Sequence, residues 1–316
     1  MKRKPQTHKK SDDSKEPVPP VRRTCGTMIA HSRLLESDPG FRERLVGLEQ
    51  LTSRRLMAGM TQRAGKPTVI PVVVHVVYNT ASGNISDKQV RSQIARLNLD
   101  YRAKNIDKSK TPTVWSGLAT DARIQFAMAT KDPQGKPTKG ITRTQTTQAS
   151  FADDDGVKSS ASGGADGWPS DKYLNLWVCA LGGGLLGYAQ FPGGPPQTDG
   201  VVILYTAFGT TGTATAPFNL GRTATHEIGH WLNLHHIWGD TQHCEGTDFV
   251  NDTPNAQLPN FGKPKFPHVT CSNGPNGDMF MNYMDYVDDD TMVMFTSGQV
   301  ARMNAALDGP RSAIGS

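Results

Sequence analysis

The chain contains only four cysteines in 316 residues, Cys25, Cys179, Cys244 and Cys271. That is too few for the disulfide frameworks that hold small secreted domains together, although one bridge is open to it. No apolar run approaches the roughly 20 residues needed to span a bilayer, so no membrane partner is expected. Met1 to Pro20 is rich in Lys, Asp and Pro and lacks the apolar stretch of a secretory signal. Either the chain is exported by another route or it stays inside the cell. Internal repeats are missing, and the glycines Gly182 to Gly184 are not followed by the lysine and helix of a phosphate loop. Most of the chain also lacks a surplus of either charge. The formal net charge is +5, but residues 1–63 hold 14 Lys/Arg against 7 Asp/Glu, while residues 64–316 hold 20 against 22. The basic surplus belongs to the N-terminal segment, which removes the case for nucleic acid as a partner.

What is present suffices for a sizeable core, since 36% of the residues are hydrophobic. Residues 1 to about 24 are polar and proline-containing and read as weakly ordered. Phe41, Leu45, Leu48, Leu51 and Leu56 recur at helical spacing, which predicts a helix from Asp38 to Met60. The run Val69 to Tyr78 is almost continuously apolar and β-branched, as in a strand buried on both faces. Ser86 and Gln89 form a capping-box pattern before Val90, Ile94, Leu97 and Tyr101, a second helix. Strands are expected at Ile124 to Thr130, Tyr173 to Ala180 and Gly200 to Tyr205, and residues 185–190 are a candidate edge strand able to pair with an extended substrate. Residues 237–278, rich in Gly, Pro, Asn and Asp, should be a long loop pinned by something other than core packing. A last helix is expected from about Thr296 and Ser297 through Val300 and Met303.

The chemistry concentrates in Thr225-His226-Glu227-Ile228-Gly229-His230, on a segment expected to be helical from a cap at Asn219. Histidines at i and i+4 lie on one helical face, about 6 Å apart, which suits two ligands of one tetrahedral zinc. Glu227 then lies beside the ion as a general base. Such a motif also arises by chance in solvent-facing helices, and His75, inside the first strand, reads as a packed core histidine. Here the motif extends to H-E-I-G-H-W-L-N-L-H-H, so His236 stands six residues after His230, and in that extension the sequence resembles the zinc signature of the metzincins. The third ligand requires a sharp turn, placed at Asn233, a residue tolerant of left-handed backbone. His235 is the alternative third ligand. Met281-Asn282-Tyr283-Met284-Asp285-Tyr286 is similar to the metzincin methionine turn, with Met284 as an apolar floor under the imidazoles; core filling is the competing reading. The resemblance also implies Tyr286 as a phenol that stabilises the oxyanion.

Four stretches, residues 186–194, 218–240, 252–254 and 281–286, together resemble the pappalysin family (peptidase family M43), particularly its small ulilysin-like members. The resemblance covers about Val69 to Arg302. It implies an α+β fold, a twisted mixed β-sheet with backing and active-site helices and a small C-terminal subdomain. It implies an inhibitory pro-segment over 1–63 and a catalytic domain over 64–316, divided into about 64–236 and about 237–316. It further implies a Cys244–Cys271 disulfide, with no partner for a second bridge at Thr291. Calcium joins zinc as an implied cofactor, with Asp252, Asp240 and Asp248 as ligands or merely as solvated loop carboxylates. Arg23-Thr24-Cys25-Gly26-Thr27 is similar to a cysteine switch, in which Cys25 takes the fourth zinc position of the latent form; a Cys25–Cys179 bridge is the competing reading. Within the run Asp288-Asp289-Asp290, the resemblance assigns Asp290 to a pocket favouring Arg or Lys after the scissile bond, unless the run is a solvated loop or a calcium site. Such an enzyme would find Ser53–Arg54, Arg54–Arg55 and Gln62–Arg63 in its own precursor. The expected activity is a secreted or extracellular zinc endopeptidase acting on protein or peptide substrates. Two readings compete: a zinc hydrolase of non-peptide bonds and a binding module with structural zinc, which the open fourth position argues against.

Overall fold

A computed structural model of the chain describes residues 20–60 and 65–315. The bond Gln62–Arg63 and residues 1–19, where weak order is expected from composition, therefore lie outside the described residues. The first two elements are helices, α1 (Thr27–Ser37) and α2 (Pro39–Met57). The first of them is not legible in sequence because its cap, Gly26, offers no side chain to the free N–H groups. Asp38 accepts from Gly40 N and caps α2, with Pro39 in the first turn.

The central sheet is built around β1 (Thr68–Tyr78), whose apolar run is buried on both faces as expected. One edge of β1 pairs in parallel with β2 (Ile124–Met128) over its first half and with β3 (Ile141–Gln145) over its second. Its other edge pairs in parallel with β4 (Leu174–Cys179), and β4 with β6 (Val201–Leu204). The outer strand β5 (Gly187–Ala189) runs antiparallel to β6, so the sheet is mixed, in the order β2-β1-β4-β6-β5. The strand β3, ITRTQ, carries no apolar run and is formed by pairing alone.

Helix α3 (Asp87–Asp100) starts where expected, with Ser86 Oγ accepting from Gln89 N. It packs with α5 (Arg222–Trp231), which lies against β5 and β6. A short α4 (Thr113–Ser116) buries Trp115. The cap of α5 differs from the expectation: Asn219 is not the cap but Gly221, at φ +76°. A side chain there would be strained and crowded against Gln93. The open N–H groups are met from far along the chain, Asp289 Oδ2 accepting from Leu220 N (2.8 Å) and Arg222 N (3.2 Å). A carboxylate at a helix N-terminus also suits the macrodipole.

The loop after α5 is pinned by a Cys244–Cys271 disulfide and by buried carboxylates. Asp285 accepts from Asn260 N and Nδ2 at 2.8 and 2.9 Å, and Asp278 Oδ1 accepts from Thr270 and Asn273, both at 2.7 Å. A two-residue pairing joins β7 (Phe261–Gly262) to β8 (Tyr286–Val287). Helix α6 (Ser297–Asp308) opens with a full capping box of Thr296 and Gln299.

Arg222 ties the layers together. Fully buried, it donates to both oxygens of Asp107 (2.6 and 2.7 Å) and to Asp289 O (2.7 Å), and reaches Asp100 at 3.5 Å. Removing a buried cation strands its carboxylates, so Arg222→Ala should lower unfolding free energy by roughly 3–5 kcal/mol in denaturant titration. Lys263→Ala, which removes an exposed partner of Asp290, should leave the unfolding midpoint almost unchanged. Equal effects would contradict this assignment.

Candidate active site

Helix α5 sets His226 and His230 one turn apart, and its axis ends at Trp231. Asn233 then turns the chain at φ +72°, its N–H bonded to His230 O, and His236 is carried back toward the other two. The three Nε2 atoms lie 3.2, 3.2 and 3.0 Å apart, fully buried. Each ring is fixed by its other nitrogen: His226 Nδ1 faces Tyr283 O (2.7 Å), His230 Nδ1 faces Leu234 O (2.7 Å) and His236 Nδ1 faces Asp240 Oδ1 (2.5 Å). These partners only accept, so each Nδ1 carries the hydrogen and each Nε2 presents a lone pair. Burial first, then the neighbouring rings, holds His226 and His230 well below the ordinary histidine range, so neither takes up a second proton.

Three lone pairs facing one another with no proton between them repel unless a cation lies among them. Ligand nitrogens about 2.0–2.1 Å from one tetrahedral zinc are about 3.3 Å apart, close to the spacing found. The residues therefore fit zinc. A fourth ligand atom, Cys25 Sγ, completes a buried group whose members all lie within 4.8 Å of one another. His235 is not in this group; its ring lies between Phe191 and Phe249. Cys25 and Cys179 are both free thiols, so no bridge joins them.

The floor is tight. Met284 is fully buried, and a Cβ on Gly229 would come 2.5 Å from its Sδ. Above the histidines, Glu227 Oε2 accepts from Thr27 Oγ1 (2.8 Å) and from the Cys25 thiol (3.3 Å). Burial pushes the Glu227 carboxyl up to about 7 despite those bonds. Burial, then Glu227, also holds the Cys25 thiol well above its usual range. Tyr286 stands beside His226, His236 and Trp238, and its hydroxyl accepts from Cys25 N at 3.3 Å. The edge strand β5 forms the rim, where Gly26 N bonds Gly187 O at 2.9 Å. A Cβ at Gly187 would lie 2.9 Å from Glu227 Cγ, which explains the glycine.

The acidic run divides differently from the expectation. Asp290 is half-buried and pairs with Lys263, whereas Asp289 is fully buried and receives Arg23 at 2.7 Å. Arg23 also donates to Thr223 Oγ1 and Val287 O and lies over the Phe218 ring. Nothing local in the sequence marks the Arg23–Asp289 pair, whose members stand 266 positions apart. The expected calcium carboxylates are not brought together. Asp252 accepts from Thr296, Ser297 and Gly298 at the start of α6, Asp248 from Thr253 and Val250, and Asp240 holds His236. Among the described residues, no cluster of three or more candidate ligands includes any of them.

A buried carboxylate between two helical histidines, with a third histidine and a phenol converging on the same point, defines a zinc-dependent peptidase. Comparison with known proteins agrees. The family described as pregnancy-associated plasma protein-A, peptidase M43, matches residues 158–308. An extracellular metalloprotease of Pyricularia oryzae is 34% identical over 75% of this chain and 74% of its own length. Another, from Arthroderma otae, is 30% identical over 90% of each. Among solved structures, a promirolysin mutant of Tannerella forsythia superposes with a TM-score of 0.84 and 46% identity, over 92% of this chain and 96% of that one. Mature mirolysin in complex with a cleaved peptide gives 0.78 and 51%, over 79% and 96%. The chain belongs to the pappalysin family of metalloproteases, with the metzincin fold.

With Met284 as the floor that the methionine-turn resemblance implies, Gly229→Ala must displace it and weaken zinc retention on dialysis against a competing chelator. Gly47→Ala, where a Cβ meets nothing within 4 Å, should leave retention unchanged; indifference to both would remove Met284 from the floor.

Proposed function

We propose that the chain is the latent precursor of an endopeptidase, with residues 1–63 as the inhibitory segment and 64–316 as the catalytic domain. The observation that carries this reading is that one short stretch, Arg23 to Thr27, covers every group needed for hydrolysis. Zinc held by His226, His230 and His236 supplies, when bound, a Lewis acid that polarises a carbonyl and makes water more acidic. Glu227 acts as general base and then returns its proton to the leaving amine, a role suited by a carboxyl near neutrality. Tyr286, released from Cys25 N, turns its hydroxyl toward the developing oxyanion. Cys25 is the latch: its sulfur lies with the three histidines, and its soft thiolate competes with water for the fourth position.

Arg23 is the second plug. Its guanidinium fills a site with a buried carboxylate at its base, the arrangement expected of a pocket for Arg or Lys after the scissile bond. The pocket residue is accordingly Asp289 rather than Asp290. Ser53–Arg54 and Arg54–Arg55 lie inside α2, so its last turns must open before they can enter an extended cleft. Protein and peptide substrates follow from this chemistry. The two relatives described above are named extracellular, and we place this enzyme outside the cell as well; among the described residues no helix is long and apolar enough to cross a membrane.

The test is to incubate the zinc-loaded precursor with and without a chelator and to identify the new N-terminus by mass spectrometry. Cleavage at an Xaa–Arg bond between 53 and 63 is expected, lost on chelation and in Glu227→Ala, with casein hydrolysis appearing only after the cut. A full-length chain that already cleaves peptides at the rate of the processed one would overturn latency.

A further inference from the structure

The N-terminal segment meets the catalytic domain through a second arginine that the reading above leaves without a role. Along the segment, Arg23 engages Asp289, Cys25 the histidines, and Gly26 the loop at Asp153, where a Cβ on Gly26 would lie 3.1 Å from Asp153 Cβ. Residues 153–155 thus wall the cleft on the far side of Cys25 from Asp289. On that wall sits Arg33 of α1, its guanidinium donating to Asp153 O and, at 2.6 Å, to Asp155 Oδ2.

We propose that Asp155, with the Asp153 carbonyl, forms a second cation subsite of the processed enzyme, taking an Arg or Lys side chain that precedes the scissile bond. This rests on the reading of residues 1–63 as a removable segment and of the Asp289 site as the pocket for the residue that follows that bond.

The subsite is built rather than a chance cluster of carboxylates. Lys158, the internal cation here, is fully committed. Its Nζ donates to Thr198 O at 2.7 Å, lies 2.7 Å from Asp155 Oδ1, and stands over the Trp177 and Tyr188 rings. Asp155 therefore offers one oxygen inward and the other to the cleft. When Arg33 leaves, Asp153, Asp154 and Asp155 face one lysine, and the wall is left with a net negative charge. A separate observation points to a ligand. Tyr188, on the edge strand, is completely buried, and its hydroxyl has no hydrogen-bond partner among the described residues, although it lies within electrostatic reach of Asp155, Asp154 and Arg33. A buried hydroxyl without a partner calls for one, a water or the polar head of a ligand. Next to this wall lies a cavity of about 420 Å³, bounded by Thr24 and Ile29 of the segment and by Phe151, Asp153 and Leu185 of the domain. Removing the segment opens it to the cleft and gives a long side chain an apolar bed for its stem.

The test compares peptides carrying Arg after the scissile bond and either Arg or Ala at each of the three preceding positions, using the autoprocessed enzyme. At one of those positions Arg should raise kcat/KM about tenfold over Ala. Asp155→Asn should abolish that gain, bringing the ratio of kcat/KM between the Arg and Ala peptides to about one. The parental enzyme gives a reading that needs no variant: the gain should shrink between about 0.05 and about 0.5 M salt. Absence of a gain at all three positions, or a gain that persists in Asp155→Asn, would overturn the proposal. A companion peptide with Ala after the scissile bond keeps the two readings apart: cleavage of it as fast as of the Arg peptide would refute the Asp289 pocket, a result distinct from either of these.

Discussion

Three imidazole lone pairs aimed at one another inside a protein are an unfavourable arrangement, and much of this molecule serves to impose it. Each ring is held by an acceptor on its outer nitrogen, one from the methionine turn, one from the turn after α5 and one from Asp240. Each acceptor is fixed in turn. Tyr283 N bonds Met294 O, and the 233 turn is clamped by Arg302, which donates to Asn233 O and to both oxygens of Glu49. The site's geometry is thus maintained by backbone carbonyls in two loops, which only an ordered fold can place. A cation converts the mutual repulsion of the nitrogens into three bonds.

The N-terminal segment exploits the same construction. It makes ion pairs with the rest of the chain at four separated places, Arg23–Asp289, Arg33–Asp155, Arg302–Glu49 and Arg55–Asp308, and among these only the first is buried on both sides. The buried pair carries the specificity and the outer three add reach, since exposed pairs contribute little by themselves. Apolar contact supplies the rest: Leu34 and Phe41 form a small second core with Phe191 of the catalytic portion. Three of these pairs involve residues upstream of Arg54, and the fourth involves Arg55, so the proposed cut would release at least three of them.

How much could be read beforehand follows the range of the interactions. The strand Val69–Tyr78, the Ser86 cap, the Thr296 capping box and the histidine spacing are local patterns, and local patterns are visible in a sequence. Asn233 was legible because a left-handed turn limits the choice of residue. What escaped was long-range. Gly221 replaces Asn219 as the cap because Asp289, some seventy positions away, supplies the acceptor. Asp289 rather than its neighbour Asp290 is buried and paired with Arg23, and the run itself does not say which of them points inward. The first helix lacks a side-chain cap, and β3 lacks apolar residues, so neither announces itself. The calcium carboxylates suggested by resemblance turned out to have structural partners that composition cannot reveal.

The central claim is that the three histidines share one ion, and elemental analysis of the purified chain tests it most directly. The account requires about one zinc per chain, retained in Glu227→Ala and lost in His236→Ala, with His235→Ala behaving like the parent. Zinc-free folded protein, or full zinc content after loss of His236, would contradict it.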